Sequence, residues 1–557
     1  MSAHRAPLDA SGGRASSGHD LQLANGIIDR AGVLPVLEPD FTAETGRHRT
    51  LGLKALLVAC QLNGLSRHHK GHLIEVARII NALSDEQRTQ LGIDNHDPSQ
   101  TYDRVDRTFT RLADVLDAGH PGVDAKWFAN ALAQAAVPEE FRQSRSIAVD
   151  GTDVETWGAL HGDAVTVDLD GEAAETQLMD DVAVPKLKKP ARRAKVLGVG
   201  ADGRNQYTAD RDARAGHRSA TNSRPAGSYV GYELHLAVQA RDMKWTNHID
   251  KVSLSDEVPG VITCLALVPA GTHRGRAIVD DLVAAKAAGA PIDDVVWDPG
   301  YSLCSAGTTH HKLAQAGIHQ TFQPVTHQRG TRPFSGDAVL LDGQLYSSLL
   351  PGELRDLPMP PRGSSEAVKV EHEARFNLRA RWRMVRHAAP DRDGATRWRC
   401  PFCAGLLRAR QFPKTMRRPK TVPLVPVDEG CEHCCDGILT AMAAELPWWQ
   451  RIPFGTTAWR LSMGRRQVVE SVNAALKGTF ADLSRGFFRV FGQTKMTILL
   501  GFTVAGYNLD RIRSYRAKKR AQQEAKPTQP KRRRGTWQEI VEPTAAAATG
   551  ADESPPT

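Results

Sequence analysis

The chain has 557 residues, 72 Lys and Arg against 63 Asp and Glu, a formal charge of +9 and a pI near 9.1. That length leaves room for two to four domains with sizeable cores, and the basic excess favours a polyanionic partner. The opening MSAHRAPLDASGGRASSGHD lacks the apolar segment of a secretory signal. The longest apolar run, ILLGFTVAGY, is far shorter than the ~20 residues of a membrane span.

Residues 1–20 are rich in Ser, Gly and Ala and are expected to be disordered. From 21 to 145 the periodicity is helical, as in LGLKALLVACQL, GHLIEVARIINALS and VDAKWFANALAQAA. This segment is expected to form a helical DNA-binding or oligomerisation domain. The pattern changes at RSIAVDGTDVETWG, where Ile147 to Val149 read as a short buried strand. A polar, basic stretch over about 161–225, including PKLKKPARRAKVLG, reads as an inserted loop. Strand patterns resume at SYVGYELHLAVQA and GVITCLALVPA. They are followed by a helix at RAIVDDLVAAKAAGA, the strand DDVVWD, a helix near HHKLAQAGI and the strand HQTFQ. Three strands followed by alternating helices and strands predict an α/β core opening with a meander. Residues 324–455 break into Pro- and Gly-rich segments that carry cysteines. Helical periodicity returns over 456–513, and 514–557 form a basic, then low-complexity tail.

Two strands end in aspartate. IAVDGT stops at Asp150, before Gly151, and VVWDPGY stops at Asp298, before Pro299 and Gly300. A carboxylate at the end of a strand buried on both faces looks into the crevice beyond the sheet. Asp153, three residues past Asp150, projects to the opposite face of an extended chain. Asp280, Asp281, Asp293 and Asp294 sit in or beside a helix and read as surface or capping groups.

A third acid comes from MGRRQVVESVNAALKG, read as one amphipathic helix from Met463 to Gly478. At about 100° per residue, Glu470 and Lys477 fall within about 40° of Arg466, while Val468, Val469, Val472, Ala475 and Leu476 occupy the opposite side. A solvated charge stripe would look the same. Two carboxylates from neighbouring strands and one from a packed helix, however, make a site for hard divalent cations such as Mg²⁺ or Mn²⁺. Arg466 and Lys477 would stand beside it to contact phosphates.

These motifs resemble the DDE-type insertion-sequence transposases. In that family the first acid lies in a DGT-like strand end, matched by Asp150, Gly151 and Thr152. The second lies in D-x-G-Y, matched by Asp298, Gly300 and Tyr301. The third lies in a helix with Tyr, two residues, Arg, three residues, Glu, six residues, Lys. Arg466, Glu470 and Lys477 keep that spacing, but Met463 stands where the Tyr would, so a Tyr contact to DNA is not carried over. The segment RGFFRVFGQTKMTILLGFTVAGYNL also resembles the family's closing stretch. The resemblance covers about 146–323 and 455–513. It implies an RNase H-like α/β core, Mg²⁺-dependent cleavage at the ends of a mobile element, and strand transfer into target DNA. Asp150, Asp298 and Glu470 would hold two metal ions, with Arg466 and Lys477 on DNA. It also implies a homodimer on double-stranded DNA, in the bacterial cytoplasm at the nucleoid.

Five of the eight cysteines cluster in the 324–455 segment, in CPFC and CEHCC. Cys400 and Cys403, with Cys431 and Cys434 after a 27-residue spacer, suit a four-cysteine structural zinc site. His433 or Cys435 could replace one ligand. Cys60, Cys264 and Cys304 stand alone, a usage that suits a reducing cytosol rather than a disulfide framework. Gly394 to Val427 carries eight basic residues and no acid, a loop suited to tracking phosphates. Arg511 to Arg534 carries eleven against Glu524 alone, the composition of a nucleic-acid arm. The expected architecture is an RNase H-like catalytic core with a zinc-bearing insertion and an N-terminal helical domain. Two other readings remain: a non-catalytic zinc-containing DNA-binding protein, and a nuclease of the same fold that cuts without joining.

Overall fold

The structure is a computed structural model. It describes residues 17–41, 51–162, 198–199, 205–218, 225–245, 252–272, 274–304, 309–334, 338–361, 363–388, 391, 395–427, 438–442, 445–446 and 448–524. The fold is mixed α/β.

The N-terminal segment is helical as its periodicity predicts: α1 (Gly18–Ala31), α2 (Leu53–Gly64), α3 (Leu73–Ala82), α4 (Thr101–Ala118) and α5 (Ala125–Ala135). Ser17 caps α1 by accepting the Asp20 N–H, and Asp124 caps α5 by accepting that of Trp127. Ordered helix thus begins at Gly18, inside the stretch expected to be disordered. Residues 1–16 lie outside the described residues.

The central sheet holds β1 (Ser146–Glu155), β2 (Arg214–Arg218), β3 (Gly227–Ala240), β4 (Ile262–Pro269), β5 (Asp294–Trp297) and β6 (His319–Thr321). Helix α6 (Arg274–Ala287) links β4 to β5. β1, β3 and β4 form the expected antiparallel meander, with β3 in the middle. β5 lies parallel to β1 on its other edge, and β6 parallel to β5. The order across the sheet is therefore β4-β3-β1-β5-β6, with β2 paired to the start of β3. Part of the basic stretch read as a loop is strand: besides β2, Leu160–Gly162, Gly198–Val199 and Asn205–Thr208 form a small sheet. Its centre, 163–197, lies outside the described residues.

The segment between β6 and the closing helices holds β7 (Thr331–Pro333), β8 (Ala338–Leu341), β9 (Gln344–Ser347), α7 (Glu366–Ala380), β10 (Val385–Arg386), β11 (Ala395–Arg399) and β12 (Leu439–Met442). Phe376 of α7 packs with Phe454 and Trp459, and β8, β9, β11 and β12 carry a separate apolar core. Trp382, Trp398, Cys400, Phe402 and Phe412 are among its buried residues.

The closing helices are α8 (Thr457–Gly464), α9 (Gln467–Ala474) and α10 (Gln493–Glu524). Met463–Gly478 is thus not one helix. α8 ends at Gly464, α9 begins at Gln467, and Ala475–Thr479 is a π-helical turn. The apolar side of α9 packs as expected, with Val469, Val472 and Leu476 buried. The buried part of α10 sits against α2 and α5 so closely that glycine is required: a Cβ at Gly501 would lie 2.8 Å from the Ala129 Cα. Asn508 ties α10 to β4 and α5. Its Oδ1 accepts from the Ile262 N–H at 2.7 Å, and its Nδ2 donates to the carbonyls of Ile262 and Ala133. The N-terminal helices, α9, α10 and one face of the sheet consequently share a single core. The other sheet face packs on α6 through Ile147, Val149, Ala237, Ile278 and Trp297. Among the described residues no helix is long and apolar enough to cross a membrane.

Candidate active site

β1 does not stop at Asp150. It runs five residues further, to Glu155, paired all the way with β3. β5, by contrast, ends at Trp297, directly opposite Val149. The next pair in that parallel register is Asp150 beside Asp298, which places the two carboxylates on adjacent strand positions about 5 Å apart. Their side chains belong to the same pleat face as Ala148 and Val296, the face on which α9 packs.

From that helix Arg466 reaches between them. Its Nη2 lies 4.0 Å from Asp150 Oδ2, 3.5 Å from Asp298 Oδ2 and 3.4 Å from Glu470 Oε1. Oxygens at 4.0 and 3.5 Å from one nitrogen are within 7.5 Å of each other, so all three acids surround one small volume. Among the described residues the buried Arg466 Nε has no hydrogen-bond partner. The guanidinium is therefore held mainly by charge.

Asp150 carries the electrostatic signature of this crowding. Burial, then the neighbouring Asp298 and Glu470 charges, push its pKa up from 3.8 to about 6 against the opposing pull of Arg466. Its Oδ1 accepts the Gly151 N–H at 2.9 Å and its Oδ2 accepts from Asn473 Nδ2 at 3.3 Å. Asp298 caps the short helical turn Pro299–Ser302 through the Gly300 N–H at 2.7 Å. The glycines of both motifs sit against the mobile ends of neighbouring charged side chains. A Cβ on Gly151 would lie 2.8 Å from Glu233 Oε1, and one on Gly300 would lie 2.5 Å from Arg274 Nη1.

Three neighbours join the site beyond the residues expected from sequence. Arg274, at the start of α6, lies with Nε 3.0 Å from Glu233 Oε1 and Nη1 3.6 Å from Asp298 Oδ1. Glu233 arrives from β3, opposite Asp153, and only strand register reveals that position. Burial raises its pKa, helped by the Asp153 and Asp298 charges. Asn473 did leave a signal, because it follows Glu470 at the three-residue spacing of one helix face. Beneath them Tyr301 stacks on Trp297 and bonds His235 Nδ1 at 2.6 Å. Burial holds that imidazole neutral, its pKa lowered to about 3.

Lys477 is not beside the acids. Its Nζ bonds Asp153 Oδ1 at 2.7 Å, and Arg218 from β2 contacts Asp153 and Glu155. The π-helical turn after Ala474 widens the helix and removes Lys477 from the stripe expected at a uniform 100° per residue. Around the crevice itself four carboxylates, Asp150, Asp298, Glu470 and Glu233, face two guanidiniums, Arg466 and Arg274. The excess is negative.

Among the described residues no His, Cys, Asp or Glu group of three or more is drawn closely enough around one point to hold a metal as it stands. The Arg466 guanidinium spreads the three acids wider than the 2.0–2.6 Å ligand shell of Mg²⁺ or Ca²⁺ requires. The donor chemistry nevertheless fits a hard divalent cation: only oxygen ligands, excess negative charge, and one carboxyl whose pKa is raised by burial first and by the Asp298 and Glu470 charges after it. In the second predicted site, Cys400 is fully buried and Cys403 half-buried on one turn. Cys431, His433, Cys434 and Cys435 lie outside the described residues. No protein-family model matches the chain, and neither a curated protein nor a solved structure matches it.

Proposed function

We propose that the chain is a DDE-type DNA transposase with an RNase H-like core, using two divalent metal ions to cleave element ends and join them to target DNA. The observation that carries this reading is the convergence of Asp150, Asp298 and Glu470, separated by 148 and 172 residues, on the single Arg466 nitrogen. The β4-β3-β1-β5-β6 order, with only the meander antiparallel, agrees with the RNase H-like core that the resemblance implies.

In this reading Asp150, Asp298 and Glu470 would hold the ions, which would supply Lewis-acid stabilisation of an in-line phosphoryl displacement. Asn473 keeps Asp150 oriented. Arg466 leaves its place between the carboxylates and contacts DNA phosphate. Water attacks phosphorus and frees a 3′-hydroxyl, and that hydroxyl then attacks a target phosphodiester, so no covalent protein nucleophile is required. Lys477 contacts DNA once phosphate competes with Asp153 for it. Cys400, Cys403, Cys431 and Cys434 hold a structural zinc ion, with His433 or Cys435 as substitute ligands. The protein works as a homodimer on DNA at the bacterial nucleoid.

The test is incubation of the purified chain with supercoiled plasmid and a pool of 3′-hydroxyl oligonucleotides in Mg²⁺ or Mn²⁺. Nicked and joined products that vanish in Glu470→Gln are the expected result. Nicks without joining would point to the nuclease. Neither product, with DNA binding intact, would leave a non-catalytic DNA-binding protein.

A further inference from the structure

At the other end of β5 a cavity of about 420 Å³ opens along the seam between the sheet and the cysteine-bearing segment. It is lined by His319, Arg383, Arg386, Trp398, Trp449 and Arg451, among others. His319 pairs in register with Asp294, the first residue of β5, whereas Asp298 follows the last. The cavity is thus roughly 13 Å of strand away from the acid crevice.

Its chemistry is the reverse of the crevice. Among the described residues none of Arg383, Arg386 and Arg451 has a carboxylate at ion-pair distance. Of the acids that line the adjoining cavity with Arg451, Asp294 is matched by Arg465 at 2.5 Å and Asp293 by Arg145 at 2.5 Å, while Asp242 accepts from the Arg145 N–H and the Ser144 hydroxyl. Trp449 is the hub. The Arg386 guanidinium lies 5.7 Å from its ring centroid, Trp398 meets it edge-on at 5.6 Å and His319 at 6.4 Å. Among the described residues its buried indole N–H has no hydrogen-bond partner. Uncompensated guanidiniums around an aromatic face with a spare donor suit a phosphate joined to a flat heterocycle.

We propose that this cavity binds one nucleotide of a DNA strand, its phosphate on Arg386 and Arg451 and its base against Trp449. The site goes beyond the catalytic reading and does not depend on it, since binding here requires neither the acids nor a metal.

The experiment uses the full chain in EDTA, with a 5′-phosphorylated thymidine tetranucleotide carrying 5-iodouracil. Photo-crosslinking should attach the probe to Trp449. Arg386→Ala and Arg451→Ala should each weaken its binding about fivefold or more, while Lys312→Ala, outside the cavity and paired with Asp280, should change it less than about twofold. Trp449→Phe keeps the ring, removes the N–H and should also weaken binding. Affinities in the cavity variants within twofold of wild type, or a cross-link on the basic tail instead, would overturn the proposal. Thymidine 5′-monophosphate displacing the probe at equal concentration would assign the cavity to a free nucleotide and overturn it equally. Loss of plasmid cleavage with cross-linking unchanged would bear on the catalytic reading alone.

Discussion

Lys477 Nζ sits 2.7 Å from Asp153 Oδ1, while Asp150, Asp298 and Glu470 gather around Arg466. A lysine in the same sequence motif as Glu470 is therefore neutralised by an aspartate of the same strand as Asp150, and Arg218 completes the cluster. Asp153 is consequently not a silent position. Asp153→Asn should release Lys477 while Glu155 still holds Arg218, tighten non-specific DNA binding modestly and steepen its salt dependence by about one phosphate contact. Filter binding across a salt series checks this. An unchanged slope would mean that Lys477 never reaches DNA.

Asp150 predicts a pH dependence of stability. Its folded pKa, about 6, is above the ordinary 3.8, so the native protein holds a proton that the unfolded chain releases. The sign follows: stability falls as pH rises from about 4 to about 6, by up to about 3 kcal/mol, and then levels off. Asp150→Asn should remove that share of the slope. Urea titrations of wild type and variant in EDTA at pH 4.5 and 7 give the difference directly. In the catalytic reading, cleavage in Mg²⁺ should decline as pH falls through about 6, because protons compete for the ligand.

Neighbouring arginines at the α8–α9 break should behave oppositely. Arg465 is buried, its Nη2 2.5 Å from Asp294 Oδ2 and its Nη1 2.8 Å from Ser146 Oγ. Arg465→Met strands a partly buried carboxylate and should cost about 3–5 kcal/mol whether or not metal is present. Arg466→Met exposes three acids to one another, a smaller loss that Mg²⁺ should reverse. Thermal melts with and without Mg²⁺ separate the two. Equal rescue of both, or of neither, would contradict the assignment.

The apolar patterning carried most of the fold. Helices α2, α3 and α5 and strands β3 to β6 fall where 3.6- and 2-residue periods put them, because burial on one face leaves that mark. The candidate acids were legible for the same reason, Asp150 and Asp298 interrupting apolar runs and Glu470 lying opposite Val469 and Val472. What was not legible depends on register and on local departures from regular geometry. β1 continues past Asp150 because β3 pairs with it, which only partner alignment reveals. Arg274 and Glu233 meet across β3 and α6 from distant parts of the chain. The π-helical turn that moves Lys477 has no signature in a 100° projection. The shared core of α1–α5, α9, α10 and the sheet is likewise invisible to a linear reading of segments.

The central claim, that Asp150, Asp298 and Glu470 form one metal site, is tested most directly by titrating the full chain with Mn²⁺ and following free ion by electron paramagnetic resonance. Wild type should bind Mn²⁺, and Asp150→Asn, Asp298→Asn and Glu470→Gln should each weaken binding by more than about tenfold. Arg466→Met should bind at least as tightly as wild type. Wild-type affinity in Glu470→Gln would contradict the account and return the α9 charges to an ordinary solvated helix face.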